Sequence, residues 1–206
     1  MRRFLILILL VSFISEILAN KDSASFNTKQ LMSKLSVRVD MNFMKVTGSS
    51  GFKTSSINGI VQVDYKINKK FFAGVYIGSI SDLSSKDRYF KIENKVYNLT
   101  TSKMIFYGLS GSYNLWSEGR FSIYPELRVG LGHLEVDEIN QSQNSNFVLK
   151  RSMFMIVPRA NFSYRIGKVV ESGITFSYLF TRSFNNDINQ YDLGNINGGI
   201  FCKFHF

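Results

Sequence analysis

Ile196-Asn197-Gly198-Gly199-Ile200-Phe201-Cys202-Lys203-Phe204-His205-Phe206 is the stretch on which the fold turns. Ile196, Gly198, Ile200, Cys202, Phe204 and Phe206 share one parity; Asn197, Gly199, Phe201, Lys203 and His205 share the other. Side chains alternate between the two faces of a strand, so this is a β-strand with one apolar face. Soluble domains usually fray into polar residues at their ends, whereas this strand closes on Phe206. A membrane rim accommodates such a ring, because aromatic girdles mark both interfaces of transmembrane barrels.

The opposite end of the sequence agrees. Arg2 and Arg3 precede the apolar run Phe4 to Ile14, followed by Ser15, Glu16 and a cleavage site after Ala19, the pattern of a secretory signal peptide. The run is shorter than the roughly 20 apolar residues that a spanning helix needs. Removing residues 1–19 leaves 187 of the 206 residues, enough for one domain. No later segment reads as a membrane helix, so a chain entering a membrane after export does so as strands.

Composition narrows the class further. Cys202 is the single cysteine, so no intrachain disulfide framework exists, and it reads as a small apolar residue on the outward face of the last strand. Two separated histidines and one cysteine supply no clustered metal ligands, and no cofactor is implied. The formal charge of +10 becomes +9 when two arginines and Glu16 leave with the leader. Export argues against nucleic acid as the partner of that charge. Lys and Arg on an outer-membrane protein face phosphorylated lipopolysaccharide instead; an ordinary abundance of Lys without a selected ligand explains it equally.

Alternation continues along the chain. Apolar parities run through Leu35 to Phe43, Ile57 to Ile67, Phe71 to Ile77, Ile105 to Leu115, Phe121 to Leu131, Phe154 to Ile166, Ile174 to Phe180 and Ile196 to Phe206, eight strands in all. Pro125 removes a ladder donor and predicts a bulge in its strand. Connections near Asn68, Trp116 to Arg120 and Gly167 are short, Thr47 to Ser56 is intermediate, and Ser81 to Asn98, Glu135 to Asn146 and Thr181 to Asp192 are long. Arg88 to Ile92 and Val96 to Asn98 read as a hairpin beyond the membrane around Glu93, Asn94 and Lys95. Outer-membrane barrels keep short turns in the periplasm and long loops outside, which predicts periplasmic termini. Residues 20–34 lack a period and read as a periplasmic lead-in. Tyr65, Tyr113, Trp116, Phe121, Tyr164 and Phe206 fall at one predicted rim, and Tyr107, Phe154, Tyr178 and Phe180 toward the other.

With these features on the page, residues 35–206 resemble small bacterial outer-membrane barrels of the OmpA/OmpX-like or opacity type. The resemblance implies an all-β, eight-stranded, antiparallel up-and-down transmembrane barrel, monomeric and non-enzymatic, with a structural or surface-interaction role such as adhesion or envelope integrity. In such proteins the final strand is an assembly signal, a role the resemblance carries to Phe204 and Phe206, with the barrel-assembly machinery as partner. A soluble lipocalin-type barrel is the opposite case, because it turns its apolar parity inward.

Inward parity places Arg38, Asp40, Asp64, Lys66, Glu126, Arg128, Arg159, Arg165, Glu171 and Lys203 in the lumen. Eight strands enclose little more than their own side chains, and buried charges must pair, so an ion-pair plug is expected rather than a pore. Met104, Phe106, Met153, Met155 and Val157, with Ile80, Leu134 and Leu179, share inward parity nearer the long connections. Two readings stand: an apolar pocket or conduit that binds or passes a lipid chain or other hydrophobic molecule, or ordinary core filling. Lipid A deacylases and palmitoyltransferases also use small barrels. His133, near Glu135, is the single candidate base at the external rim, but no Ser lies two residues after it and the first long loop has no His. His205 lies at the periplasmic end. A lone histidine lacks the partners that make a base useful.

Overall fold

In a computed structural model, the described residues are 31–48, 53–82, 89–92, 95–139, 145–184 and 193–206. The leader, residues 20–30 of the lead-in and the loop tips lie outside them. Leu31–Lys34 forms one helical turn, closed by Lys34 N donating to Leu31 O at 3.0 Å. The strands are β1 (Leu35–Gly48), β2 (Lys53–Lys66), β3 (Phe71–Asp82), β4 (Tyr89–Ile92), β5 (Lys95–Tyr113), β6 (Trp116–Glu118), β7 (Phe121–Ile139), β8 (Ser145–Ile166), β9 (Val170–Ser183) and β10 (Leu193–His205).

Eight of them close a barrel. Chain neighbours among β1, β2, β3, β5, β7, β8, β9 and β10 pair antiparallel, and β10 returns to β1. The seam pairs Phe204 with Val37 and Lys203 with Arg38, and Phe206 N donates to Leu35 O at 3.3 Å. The C-terminal strand is thus the closing strand of the barrel. β4 adds a hairpin to the start of β5, with Ile92 opposite Lys95, where alternation had placed one.

The strands outrun their sequence-read limits at the end carrying the long connections. β7 and β8 stay paired out to Ile139 and Ser145, and β1 and β2 out to Thr47 and Lys53. Backbone pairing continues there because a two-stranded ribbon needs no buried face to satisfy its hydrogen bonds. At the other end the turns are tight. Asn68 Oδ1 accepts from Lys70 N at 2.8 Å and Phe71 N at 2.9 Å, the side-chain mimicry of a turn for which Asn is favoured. Gly119 (φ 58°) and Gly167 (φ 74°) take the left-handed conformation in the other two turns.

The bulge predicted for the strand of Pro125 lies in its neighbour instead. Ser112 pairs with Glu126 and Trp116 with Ile123, so Tyr113, Asn114 and Leu115 face only Tyr124 and Pro125. Pro125 keeps its register with Ala160 on the other side. A missing N–H leaves one ladder without a bond, and the strand opposite absorbs the extra residue. Trp116–Glu118 is accordingly a short strand on β7, and the turn proper is Gly119–Arg120.

Inside and outside are exchanged relative to a soluble domain. Among the described residues, buried side chains comprise twenty polar or charged and twelve apolar, whereas Val39, Phe43, Val75, Leu109, Leu127, Phe176 and Ile200 are exposed on the wall. A wall of that composition is stable against hydrocarbon rather than water. Rings meet at the turn end, Phe71 with Tyr113 at 4.8 Å and Phe121 with Tyr164 at 5.0 Å, and again higher up, Tyr178 with Phe180 at 4.3 Å. Phe162 and Phe176 pair between these levels at 6.4 Å; lacking a polar handle, Phe has no need of the interface.

Candidate functional site

Two short same-face motifs build the centre of the lumen. Arg38 and Asp40 on β1, and Glu126 and Arg128 on β7, each sit two residues apart and therefore point the same way. Going round the barrel, β7 is the fourth strand from β1 in either direction, so the motifs face each other across the lumen. Arg38 Nη1 donates to Glu126 Oε2 at 3.0 Å and Arg128 Nη2 to Asp40 Oδ2 at 2.7 Å. Within the motifs, Arg38 Nε donates to Asp40 and Arg128 Nε to Glu126 Oε1 at 2.7 Å.

β8 and β9 complete the cluster. Arg159 Nη1 donates to Asp40 Oδ2 at 2.8 Å, and its Nη2 to Thr175 Oγ1 at 2.9 Å. Asn161 accepts from Arg38 Nη2 at 2.8 Å and donates to Glu126 at 3.1 Å. The Arg38 guanidinium also lies 3.9 Å from the Phe201 ring centroid, and that of Arg128 lies 5.2 Å from Tyr76. Tyr76 fits because Gly108 and Gly130, paired beside it, have no Cβ; one at either position would meet backbone and the Tyr76 hydroxyl. Nearer the turn end, Lys203 Nζ reaches Asp64 Oδ2 at 2.8 Å and His205 Nε2 reaches Glu171 Oε2 at 3.0 Å.

Lys66 and Arg165 correct the sequence reading. Both have inward parity but are exposed at the turn end. Arg165 borders a cavity of about 40 Å³ at the mouth, with Glu171, Lys203 and His205, and stands outside the central cluster. Parity buries a side chain only where an opposite wall exists, and a long cation at a rim reaches water instead. Without these two, the buried charges among the described residues are Arg38, Arg128, Arg159 and Lys203 against Asp40, Asp64, Glu126 and Glu171, four of each sign.

Met104, Phe106, Met153 and Met155 are all buried, Met153 and Met155 at 0% and 1% exposed, and Met104 and Met155 meet over Gly132. Val157 is inward but half-buried. They fill their space. The cavity beneath them, bordered by Phe106, Met155, Val157 and Leu179, has a volume of about 20 Å³, the room of a single water rather than an acyl chain. Its polar border includes Asn42 Oδ1, Tyr76 OH, Arg128 Nη1 and Asn197 Oδ1, which have no protein partner among the described residues. The pocket reading thus yields to core filling over the described part of the lumen.

His133 and Glu135 point outward, to the lipid side of the wall. His133 Nδ1 lies 3.0 Å from Ser152 Oγ on β8 and its Nε2 lies 3.4 Å from the Tyr107 hydroxyl on β5. Ser152 lies nineteen residues away in sequence and reaches His133 by cross-strand pairing. The flanking strands are laddered on both sides, β7 to β5 and β8. Tyr124, Asn161, Thr175 and Phe201 join the cluster as well; sequence parity turns them inward but does not say which charge each touches.

No protein-family model and no curated sequence matches the chain. Similarity emerges with solved structures. Neisserial surface protein A superposes with a TM-score of 0.63 at 15% identity, over 84% of this chain and 98% of the other. A major outer membrane protein of Thermus thermophilus gives 0.54 at 8% identity over 82% and 99%. Ail, the attachment invasion locus protein of Yersinia pestis, gives 0.52 at 12% identity over 84% and 97%. The fold is that of a small eight-stranded outer-membrane β-barrel.

Proposed function

We propose that the protein resides in the bacterial outer membrane as a non-enzymatic barrel, with both termini periplasmic and its long connections acting at the cell surface. The observation that carries this reading is the contrast between a braced, filled lumen and unequal ends. One end has three tight turns; the other extends β7, β8 and the β4–β5 hairpin past the wall. A lumen with cavities of about 20 and 40 Å³ offers no passage for a solute. Contact with other molecules therefore falls to the connections, and adhesion or envelope integrity is the corresponding role. Lipopolysaccharide beside the wall and the assembly machinery acting on Phe204 and Phe206 are the partners this reading implies, and the barrel works as a monomer.

Cysteine labelling tests it. In a Cys202→Ala background, Ser142→Cys should react with an impermeant maleimide on intact cells, and Lys168→Cys only after permeabilisation. The reverse pattern overturns the orientation. Replacing Tyr89–Asn98 with a tight turn should lower attachment to host-cell monolayers or raise detergent sensitivity; a strain unchanged in both refutes the role.

A further inference from the structure

The outer wall carries a groove. Near the turn end, the outward row across β7, β8, β9 and β10 runs Phe121, Tyr164, Ser172, Cys202. Two rings are followed by two small side chains, so the wall steps down where Ser172 succeeds Tyr164. The next row, Ile123, Phe162, Ile174, Ile200, bounds the step on the barrel side. Trp116, Phe121, Phe162, Tyr164 and Ile174 line the resulting open groove of about 330 Å³, within the range of roughly 300–1,000 Å³ typical of small-molecule sites.

The end of this groove is cationic. Arg120 Nη1 donates to the Tyr164 hydroxyl at 3.2 Å, and Arg165 N donates to Arg120 O at 2.8 Å. The β6–β7 turn is thereby drawn against the end of β8, beside the β8–β9 turn that bears Lys168. The same collar continues at the β2–β3 turn, where Lys70 Nζ lies 5.8 Å from the Tyr113 ring. Together the three turns and their strand ends expose Lys66, Lys69, Lys70, Arg120, Arg165 and Lys168, against Glu118 as the exposed acid. Cations joined to girdle aromatics stand at the depth of lipid headgroups.

We propose that the groove and its rim bind one acidic glycerophospholipid, its acyl chain along Trp116, Phe162 and Ile174 and its phosphate at Arg120 and Lys168. The cation excess selects an anionic headgroup over a zwitterionic one, since six exposed cations stand against the single carboxylate of Glu118, which pairs with Phe121 at the end of the groove. Choosing a phospholipid over lipopolysaccharide rests on the orientation proposed above, which puts the turn end in the periplasmic leaflet.

The barrel, reconstituted in vesicles of phosphatidylcholine with equal phosphatidylglycerol and in a parallel set with added lipopolysaccharide, is extracted and its retained lipid weighed by native mass spectrometry. One phosphatidylglycerol should be retained about ten-fold over phosphatidylcholine. Arg120→Gln with Lys168→Gln should cut that retention about five-fold or more, as should Ser172→Phe, which fills the groove and leaves every charge. Lys66→Gln with Lys69→Gln, away from the groove, should leave it intact. Heat-modifiable migration verifies folding, and Trp116→Ala replaces Ser172→Phe if the latter does not fold. Equal retention of both phospholipids, or retention indifferent to the rim and groove variants, overturns the site. Displacement of the phospholipid by lipopolysaccharide overturns the choice of ligand and, with reversed labelling, the orientation; correct labelling with no retained lipid sinks this site alone.

Discussion

Asp40→Asn is the most exacting perturbation of the lumen. Asp40 takes bonds from three guanidiniums: Arg38, Arg128 at 2.7 Å and Arg159 at 2.8 Å. The amide keeps the volume but leaves three buried arginines facing Glu126 alone, where two carboxylates had stood. Removing one partner of a buried ion pair costs about 3–5 kcal/mol, because the remaining charge stays desolvated. With a urea dependence of about 2 kcal/mol per molar, the unfolding midpoint falls by about 2 M. The assay is equilibrium unfolding in lipid vesicles, followed by the fluorescence of Trp116, the single tryptophan, which sits exposed at the turn-end rim.

Two companions make the result interpretable. Adding Arg159→Met to Asp40→Asn returns the cluster to a surplus of one cation and should recover about 1 kcal/mol or more relative to additivity. Arg165→Gln, at the exposed mouth, should stay within about 0.5 kcal/mol of the native protein. A loss below about 1 kcal/mol for Asp40→Asn, the value of a solvated surface pair, would mean that water fills the centre and that the ion cluster is no plug.

Other consequences follow from packing. Met155→Ala should cost about 2–5 kcal/mol and open a cavity that admits a small apolar probe, read by urea unfolding with and without the probe; a cost under about 1 kcal/mol would show the upper lumen loosely filled. Gly108→Ala should destabilise by about 1–3 kcal/mol as its methyl meets Val129 O and the Tyr76 hydroxyl. Gly111→Ala, where nothing lies within 4 Å, should be neutral within about 0.5 kcal/mol, and equal effects at the two positions would contradict the inward course of Tyr76. Phe206→Ala removes a ring that is 56% exposed, so stability in vesicles should hold while folded barrel accumulates more slowly in cells; loss of equilibrium stability instead would make Phe206 a packing residue and not an assembly signal.

Direction was legible in the sequence, and volume was not. Alternation assigns each of the eight barrel strands its lumen face, from Ser36 to Lys203, because a period of two survives any uncertainty in where a strand ends. It could not tell whether Met104 and Met155 would surround a space or occupy it, since that depends on flexible side chains and barrel diameter together. Lys66 and Arg165 failed for a related reason: parity continues formally to the last residue of a strand, but the opposite wall does not. Pro125 announced an irregularity and its level, yet the extra residue belonged to the strand across the ladder, which a single strand's sequence cannot display. Ser152 beside His133 is likewise a product of register between strands.

Strand number links these observations to function. Arg38-x-Asp40 and Glu126-x-Arg128 are ordinary same-face pairs until the barrel closes with eight strands and sets β1 diametrically opposite β7. Only at that circumference do guanidiniums from the two sides reach the opposing carboxylates, at 3.0 and 2.7 Å; each added pair of strands would widen the lumen beyond such contact. The cluster is therefore a brace that exists only in the closed barrel, and it ties the seam strand β1 to the wall farthest from the seam. The same geometry that makes the brace possible leaves cavities of about 20 and 40 Å³ among the described residues of the lumen. Under the proposed role, recognition falls where the brace has no reach, on the connections at one end, and under the proposed lipid site on the grooved, cation-rimmed wall at the other.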